Sequence, residues 1–253
     1  GGAARGGGAA RPRRRGGPCP PRQYVDALAP SNFALTNPVV LRQAAETRGE
    51  SLYEGLRRLL DDLERGKGEL KISMTREDAF ELGRNIATSE GAVVFENELM
   101  QLIQYAPTTS TVQRRPLLII PPWINKFYIL DLKPKNSFIR YAVEQGSTVF
   151  VISWVNPTAE LAHKSFEDYL LDGPLAALDA VARQTGEEEV NIIGYCLGGT
   201  LAACLLAHEA AKGRRRIASA TFFTTMLDFA EPGDLAVFID DERLELLDRH
   251  MAK

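Results

Sequence analysis

The 253-residue chain predicts an α/β fold, on three observations. Four short, unbroken apolar runs at 117–120, 148–152, 190–193 and 220–223 suit strands buried on both faces, as in a parallel sheet. Helical segments lie between the runs, and strands alternating with helices imply an α/β architecture. One run, Val190-Asn-Ile-Ile193, leads directly into a Gly-x-Cys-x-Gly turn and an Ala-rich helix. Composition agrees: 45% apolar and 25% charged residues are ordinary for a globular domain and exclude collagen-like or disulfide-scaffold proteins. No apolar run is long enough for a membrane-spanning helix. The three cysteines, Cys19, Cys196 and Cys204, have no metal-ligand spacing, so neither a metal nor another cofactor is expected. They point to a reducing compartment.

Residues 1–22 contain only Gly, Ala, Arg, Pro and one Cys, a composition that cannot form a core and reads as disordered. Two readings stand: a basic arm for RNA or anionic surfaces, or sequence read out of frame or carried over from cloning. Composition favours the second. Setting aside the six arginines of this arm leaves 24 basic against 33 acidic residues, a net charge of −9. An acidic body disfavours nucleic-acid binding. Residues 23–113 read as a helical N-terminal domain. Leu52, Leu56, Leu59, Leu60 and Leu63 recur at helical spacing, closed by Gly66 and Gly68. Thr75 with Asp78 resembles a capping box opening a helix to about Ala87. Phe95, Leu99, Leu102 and Ile103 mark another, ending before Pro107.

Residues 114–227 read as the first part of the strand–helix core. Asp172 and Pro174 are expected as N-cap and N1 of a helix reaching Arg183, with Gly186 after it. Another helix is expected from Gly198 to about Lys212, stopped by Gly213. Residues 228–253 form an amphipathic pattern with no stop signal, so both ends look cut. The last apolar run, 220–223, is then expected to be an uncovered sheet edge that lowers solubility.

The chemistry concentrates at Gly194-Tyr-Cys-Leu-Gly198. This is a nucleophile elbow with Cys in place of Ser. The turn from strand to helix is so tight that residues two positions either side must be small, and Gly194 and Gly198 are. The elbow lifts the Cys196 sulfur above the carboxyl edge of the sheet and sets it at a helix N-terminus, whose dipole favours a thiolate. The Leu197 N–H would then face a developing oxyanion. A second donor is expected from the loop after the first strand, Pro121-Pro-Trp-Ile-Asn125, through Ile124 or Trp123. Asn125 and Lys126 either touch substrate or cap that loop. Cys204 reads as inert packing.

A thiol nucleophile also needs a base and an orienting acid. His208 lies about three turns down the helix from the elbow, His250 sits in a solvated segment, and His163 precedes the nucleophile. Asp228 is available as an acid, but no histidine fits, so the chain is expected to lack a complete triad. Lys212 with Arg214, Arg215 and Arg216 reads either as a site for CoA phosphates or as a helix terminus complementing the dipole.

Several longer motifs carry a family resemblance. They are 23–33 (QYVDALAPSNF), 63–67 (LERGK), 121–132 (PPWINKFYILDL), 194–200 (GYCLGGT) and 227–229 (LDF). From about Gln23 onward the chain resembles poly(3-hydroxyalkanoate) synthases, most closely the single-subunit type that makes short-chain polyesters. The resemblance implies a helical N-terminal domain followed by a truncated α/β-hydrolase core, with the start of a cap from residue 228. It implies acyl transfer from (R)-3-hydroxyacyl-CoA, with the CoA thioester as substrate and Cys196 as the acyl-carrying nucleophile. It places Asp131 in a family motif, a candidate substrate-loop residue beside Asn125, while the catalytic Asp and His would lie beyond Lys253. Trp123 departs from the small residue or Cys of some members. A cytoplasmic location at polyester granules and a homodimer in the full-length enzyme are also implied. Two alternatives remain: a Cys-nucleophile esterase or thioesterase on the same fold, and a non-catalytic, inactive fragment that binds granules or synthase subunits.

Overall fold

The computed structural model describes residues 20–76, 78–230, 232–233 and 241–251. The described residues form two compact units: one holds those up to Arg76 and those beyond Ala230, the other Glu77–Ala230. The first unit begins with α1 (Pro20–Ala27), α2 (Pro38–Glu46) and α3 (Glu50–Arg65). The start of α2 is fixed by Asn37, whose side chain accepts the Val39 N–H at 2.9 Å, and by Pro38 at the first helical position. The leucine stripe of the sequence lies on α3. Asp62 on this helix is buried and accepts the Ser73 N–H and hydroxyl at 3.2 and 2.9 Å, which folds the following segment back onto the helix.

The second unit holds a six-stranded sheet. In chain order it contains β1 (Gly91–Glu96), β2 (Met100–Tyr105) and β3 (Leu117–Ile120), then a two-stranded ladder of β4 (Asp131–Lys133) and β5 (Asn136–Ser137), then α4 (Phe138–Glu144). It continues with β6 (Val149–Trp154), α5 (Phe166–Leu170), α6 (Ala176–Thr185), β7 (Val190–Tyr195), α7 (Leu197–Ala211) and β8 (Ile217–Phe223). The sheet order is β1-β2-β6-β3-β7-β8. The last four strands are parallel, and they are the four apolar runs of the sequence. Side chains alternate between two buried faces, the period-2 rule of a strand. Leu118, Ile120, Phe150, Ile152 and Ile192 pack with Ala177 and Val181 of α6 and Leu201 and Leu205 of α7. Ile119, Val149, Val151 and Ile193 pack with Ile139 and Val143 of α4 on the other face. Helix α8 (Asp241–Met251) belongs to the first unit.

Four expectations are corrected. Phe95 to Ile103 is a β-hairpin, not a helix: Asn97 turns the chain, its Oδ1 accepting the Leu99 and Met100 N–H groups at 2.9 Å each. β2 then pairs with β6, so this part of residues 23–113 belongs to the sheet and the helical region ends with α3. The helix expected over 75–87 is a turn-rich segment: Gly83 takes φ 79°, and Asn85 bonds to Glu81 N and Ala79 O, satisfying the backbone without helix. The helix expected to start at Asp172 starts at Ser165, whose hydroxyl and Asp168 form a reciprocal capping box. Asp172 and Pro174 lie inside a widened turn, where Gly173 leaves helical geometry at φ −92°, ψ −109° before α6 continues to its Gly186 stop. Of the arm at 1–22, residues 1–19 with Cys19 lie outside the described residues, and Pro20–Arg22 open α1. Among the described residues β8 pairs with β7 alone and stands at a sheet edge, as the sequence indicates.

The basic cluster after α7 sits at the end of the helix away from the elbow. Fifteen helical residues span about 22 Å, which separates it from Cys196. Arg216 donates to buried Glu209 at 2.6 and 2.8 Å and also pairs with Asp179 of α6. It joins α6, α7 and β8, which corrects the CoA-phosphate reading of this residue. The Arg216 hydrogen bonds hold the Glu209 carboxyl below its ordinary range. A lowered carboxylate contributes stability above its unfolded pKa, and that contribution falls away as pH drops through the folded value. Arg216→Ala leaves the buried Glu209 carboxylate with only the more distant Arg214, at 3.8 Å, and is expected to cost about 3 kcal/mol near neutral pH in urea unfolding. The difference from wild type should shrink as pH is lowered through the carboxylate range.

Candidate active site

The site is built where β7 turns into α7. Cys196 sits between them at φ 54°, ψ −122°, a conformation rarely taken by a residue with a side chain. The strain persists because the surroundings fix the backbone on both sides. The Cys196 N–H donates to Phe223 O at 2.9 Å, tying the turn to the end of β8, and Cys196 O accepts the Gly199 N–H at 2.9 Å.

Three glycines make this approach feasible. A Cβ on Gly194 would lie 2.5 Å from the Gly199 Cα and 2.9 Å from the Ala202 Cβ. On Gly198 it would overlap Ile120 O and come within 2.7 Å of the Pro121 carbonyl carbon and oxygen. On Gly199 it would overlap the Thr225 hydroxyl. The small residues that the sequence motif requires are thus matched by named backbone contacts. The α7 N-terminus is wedged between the loop after β3 and the segment after β8.

That wedge brings two expected donor groups into one neighbourhood. Leu197 opens α7, so its N–H has no acceptor within the helix. In the β3 loop, Pro121 and Pro122 have no N–H, and Asn125 N–H donates to Pro122 O at 3.2 Å. The N–H groups of Trp123 and Ile124 remain, and among the described residues neither has an acceptor. The side chain of Ile124 is exposed and that of Asn125 half-buried. Lys126 binds Asn156 at 2.6 Å, anchoring the loop to the segment after β6.

Asp131 is placed differently. It is buried, and its carboxylate accepts the Ser89 N–H and hydroxyl at 3.1 and 2.8 Å while its carbonyl accepts the Ala87 N–H. Burial, reinforced by the Asp131 charge, pushes the nearby Tyr105 phenol well above its ordinary value. Asp131 therefore holds the 87–89 segment against the sheet. Cys204 is a free thiol on α7, two turns below Cys196.

Residues 12–142 match the poly-beta-hydroxybutyrate polymerase (PhaC) N-terminus family, and residues 108–253 match the alpha/beta hydrolase fold. The chain belongs to the poly-beta-hydroxybutyrate polymerase family. It is 52% identical over 232 residues to a poly(3-hydroxyalkanoate) polymerase of Methylorubrum extorquens, covering 92% of this chain and 38% of that protein. Against the poly(3-hydroxyalkanoate) polymerase subunit PhaC of Rhizobium meliloti it is 50% identical, covering 91% of this chain and 38% of the relative. The chain thus spans just over a third of the length of these curated relatives. Among solved structures, an alpha/beta hydrolase enzyme from a lagoon-sediment metagenome aligns with a TM-score of 0.39 at 14% identity, over 63% of each chain.

The histidines of this polymerase-family chain do not complete a triad among the described residues. His163 is exposed and bonds to Glu160 O at 2.8 Å, and His208 lies three turns down α7 from Cys196. His250 belongs to the other unit and bonds to Leu246 O at 3.2 Å. Asp228 accepts the Ala230 N–H at 2.9 Å. Sequence reading missed Thr200 and Thr225. Thr200 Oγ1 donates to Met226 O at 2.9 Å and Thr225 Oγ1 to Phe223 O at 3.1 Å, which folds the segment after β8 around the elbow. No local motif marks Thr200, because its partner lies 26 residues onward, and the contact of Thr225 with Gly199 likewise joins separate parts of the chain.

Strain at Cys196 predicts a reversed stability order for small residues. Cys196→Gly is expected to be more stable than Cys196→Ala by about 1 kcal/mol, since only glycine relieves the left-handed backbone. Urea unfolding of the two variants checks this, and an equal or opposite order would remove the strain argument.

Proposed function

We propose that the chain carries the acyl-accepting half of a polyhydroxyalkanoate polymerase, with Cys196 as nucleophile. The observation that carries the reading is the elbow: a free thiol at the head of α7, held in a strained turn beside unpaired N–H groups of Leu197, Trp123 and Ile124. The polymerase names of relatives with about half of their aligned residues identical direct it to a hydroxyacyl thioester.

The Cys196 thiolate attacks the thioester carbonyl of (R)-3-hydroxyacyl-CoA. A C–S bond forms to Cys196 as the C–S bond to CoA breaks. The CoA thiolate leaves with the electron pair and takes up a proton equivalent to the one Cys196 lost. The N–H groups of Leu197 and Ile124 bind the oxyanion that develops between these events. The hydroxyl of a second acyl unit then attacks the Cys196 thioester: the ester C–O bond forms, the C–S bond to Cys196 breaks, and the hydroxyl proton returns to the departing Cys196 thiolate. Sulfur suits this sequence because thioester exchange is nearly isoenergetic, so the acyl group stays activated until an alcohol takes it. Cytoplasmic polyester granules and pairing of full-length subunits follow from the same reading. Among the described residues no helix is long and apolar enough to cross a membrane.

With no histidine beside Cys196 among the described residues, we expect a single acylation followed by slow turnover. Incubation with (R)-3-hydroxybutyryl-CoA should release CoA in a burst stoichiometric with protein and add one hydroxybutyryl mass to the Cys196 peptide. Cys196→Ala should abolish both, with Cys204 unmodified. Continuous release of free hydroxy acid would identify a thioesterase. A chain that remains unacylated would overturn the reading.

A further inference from the structure

We propose that Trp154 is a positioning residue that clamps the oxyanion loop. This rests on the acyl-transfer reading above and deepens it. Trp154 ends β6, next to β3 in the sheet, and is 8% exposed. Its indole Nε1–H donates to Pro121 O at 2.7 Å, a buried hydrogen bond between residues 33 apart in sequence. The same Pro121 carbonyl lies against Gly198, where a Cβ would come within 2.7 Å of it. The peptide is therefore gripped from two sides, by an indole N–H and by the head of the nucleophile helix. The two N–H groups free to meet an oxyanion, on Trp123 and Ile124, follow it within three residues.

The indole is seated as firmly as the carbonyl it holds. Gly173 leaves helical geometry where the Trp154 ring passes, and a Cβ there would lie 2.5 Å from the ring's Cη2. The widened turn is tied to the β1–β2 hairpin, with Asn97 Nδ2 donating to Asp172 O at 2.7 Å. Trp123 and Tyr169 pack against the indole at centroid distances of 6.3 and 5.4 Å. One side chain thus links the turn before α6, the loop after β3 and the elbow. A buried indole N–H needs an acceptor, and the one it takes lies at the base of the loop that carries the donors.

The test separates loop geometry from folding and from thiol access. Trp154→Phe keeps an aromatic ring and removes the N–H. Benzothienylalanine at position 154, with sulfur in place of the ring N–H, keeps almost the full shape. Both are expected to slow acylation by (R)-3-hydroxybutyryl-CoA about tenfold, below the loss from deleting an oxyanion donor outright. Alkylation of Cys196 by iodoacetamide, which needs no oxyanion donor, should keep its wild-type rate. Gly173→Ala, which displaces the indole while leaving its N–H, should give the same split. Amide hydrogen exchange at Asn125, whose N–H donates to Pro122 O within the loop, provides a readout free of substrate, and it should quicken about tenfold in all three variants. Equal losses of acylation and alkylation would make Trp154 a structural residue only. Unchanged acylation with unchanged exchange would overturn the clamp. A wild-type chain that is never acylated would sink the acyl-transfer reading, while the exchange measurement would still decide whether Trp154 holds the loop.

Discussion

The site depends on backbones packed too closely to admit side chains between them. Gly194 lies against Gly199 and Gly198 against the carbonyls of Ile120 and Pro121, while Gly199 leaves room for the side chain of Thr225. These contacts hold Cys196 in a backbone conformation that costs roughly 1–3 kcal/mol in isolation. The buried apolar faces of β3, β6 and β7 offset that cost, since each fully buried large aliphatic or aromatic side chain contributes about 1.5–3 kcal/mol. The rigid sheet therefore imposes the strain, and the strain presents the thiol.

A parallel sheet also separates the molecule's electrostatics. Its carboxyl edge gathers uncapped N–H groups: the head of α7 and the loop after β3. The opposite end gathers compensated charge, with Arg216 between Glu209 and Asp179, and Arg115 with Glu189. One end leaves hydrogen-bond donors available to a ligand, while the other uses its charges to join helices to strands. The polarity follows from topology, because parallel strands place every strand-to-helix turn on the same edge.

The elbow was legible in the sequence because its requirements are local. Strand, turn, Cys196 and helix fall within 190–211, and each residue's place depends on neighbours only a few positions away. The four parallel strands were legible for a related reason, since burial on both faces leaves a continuous apolar run. The β1–β2 hairpin was not. Phe95, Leu99, Leu102 and Ile103 meet helical spacing by coincidence, and the deciding fact is the pairing of β2 with β6, about fifty residues onward. The Gly91-Ala-Val-Val-Phe95 run and the Asn97 turn were the signals pointing the other way. Asp131 shows the same limit, because its motif gives no hint that Ser89, 42 residues earlier, occupies its carboxylate.

By itself the sequence determined the fold class, the strand-to-helix turn at Cys196 and the glycines around it. Each is written in a short stretch whose steric and dipolar demands admit few alternatives. The tertiary structure decided which peptide N–H groups near the elbow lack an acceptor among the described residues and what holds the loop that carries them. Pro121, Trp154, Gly173 and Thr225 come from separate parts of the chain and meet only when β3, β6 and β7 align. Such contacts join groups far apart in sequence, so no periodicity or spacing records them.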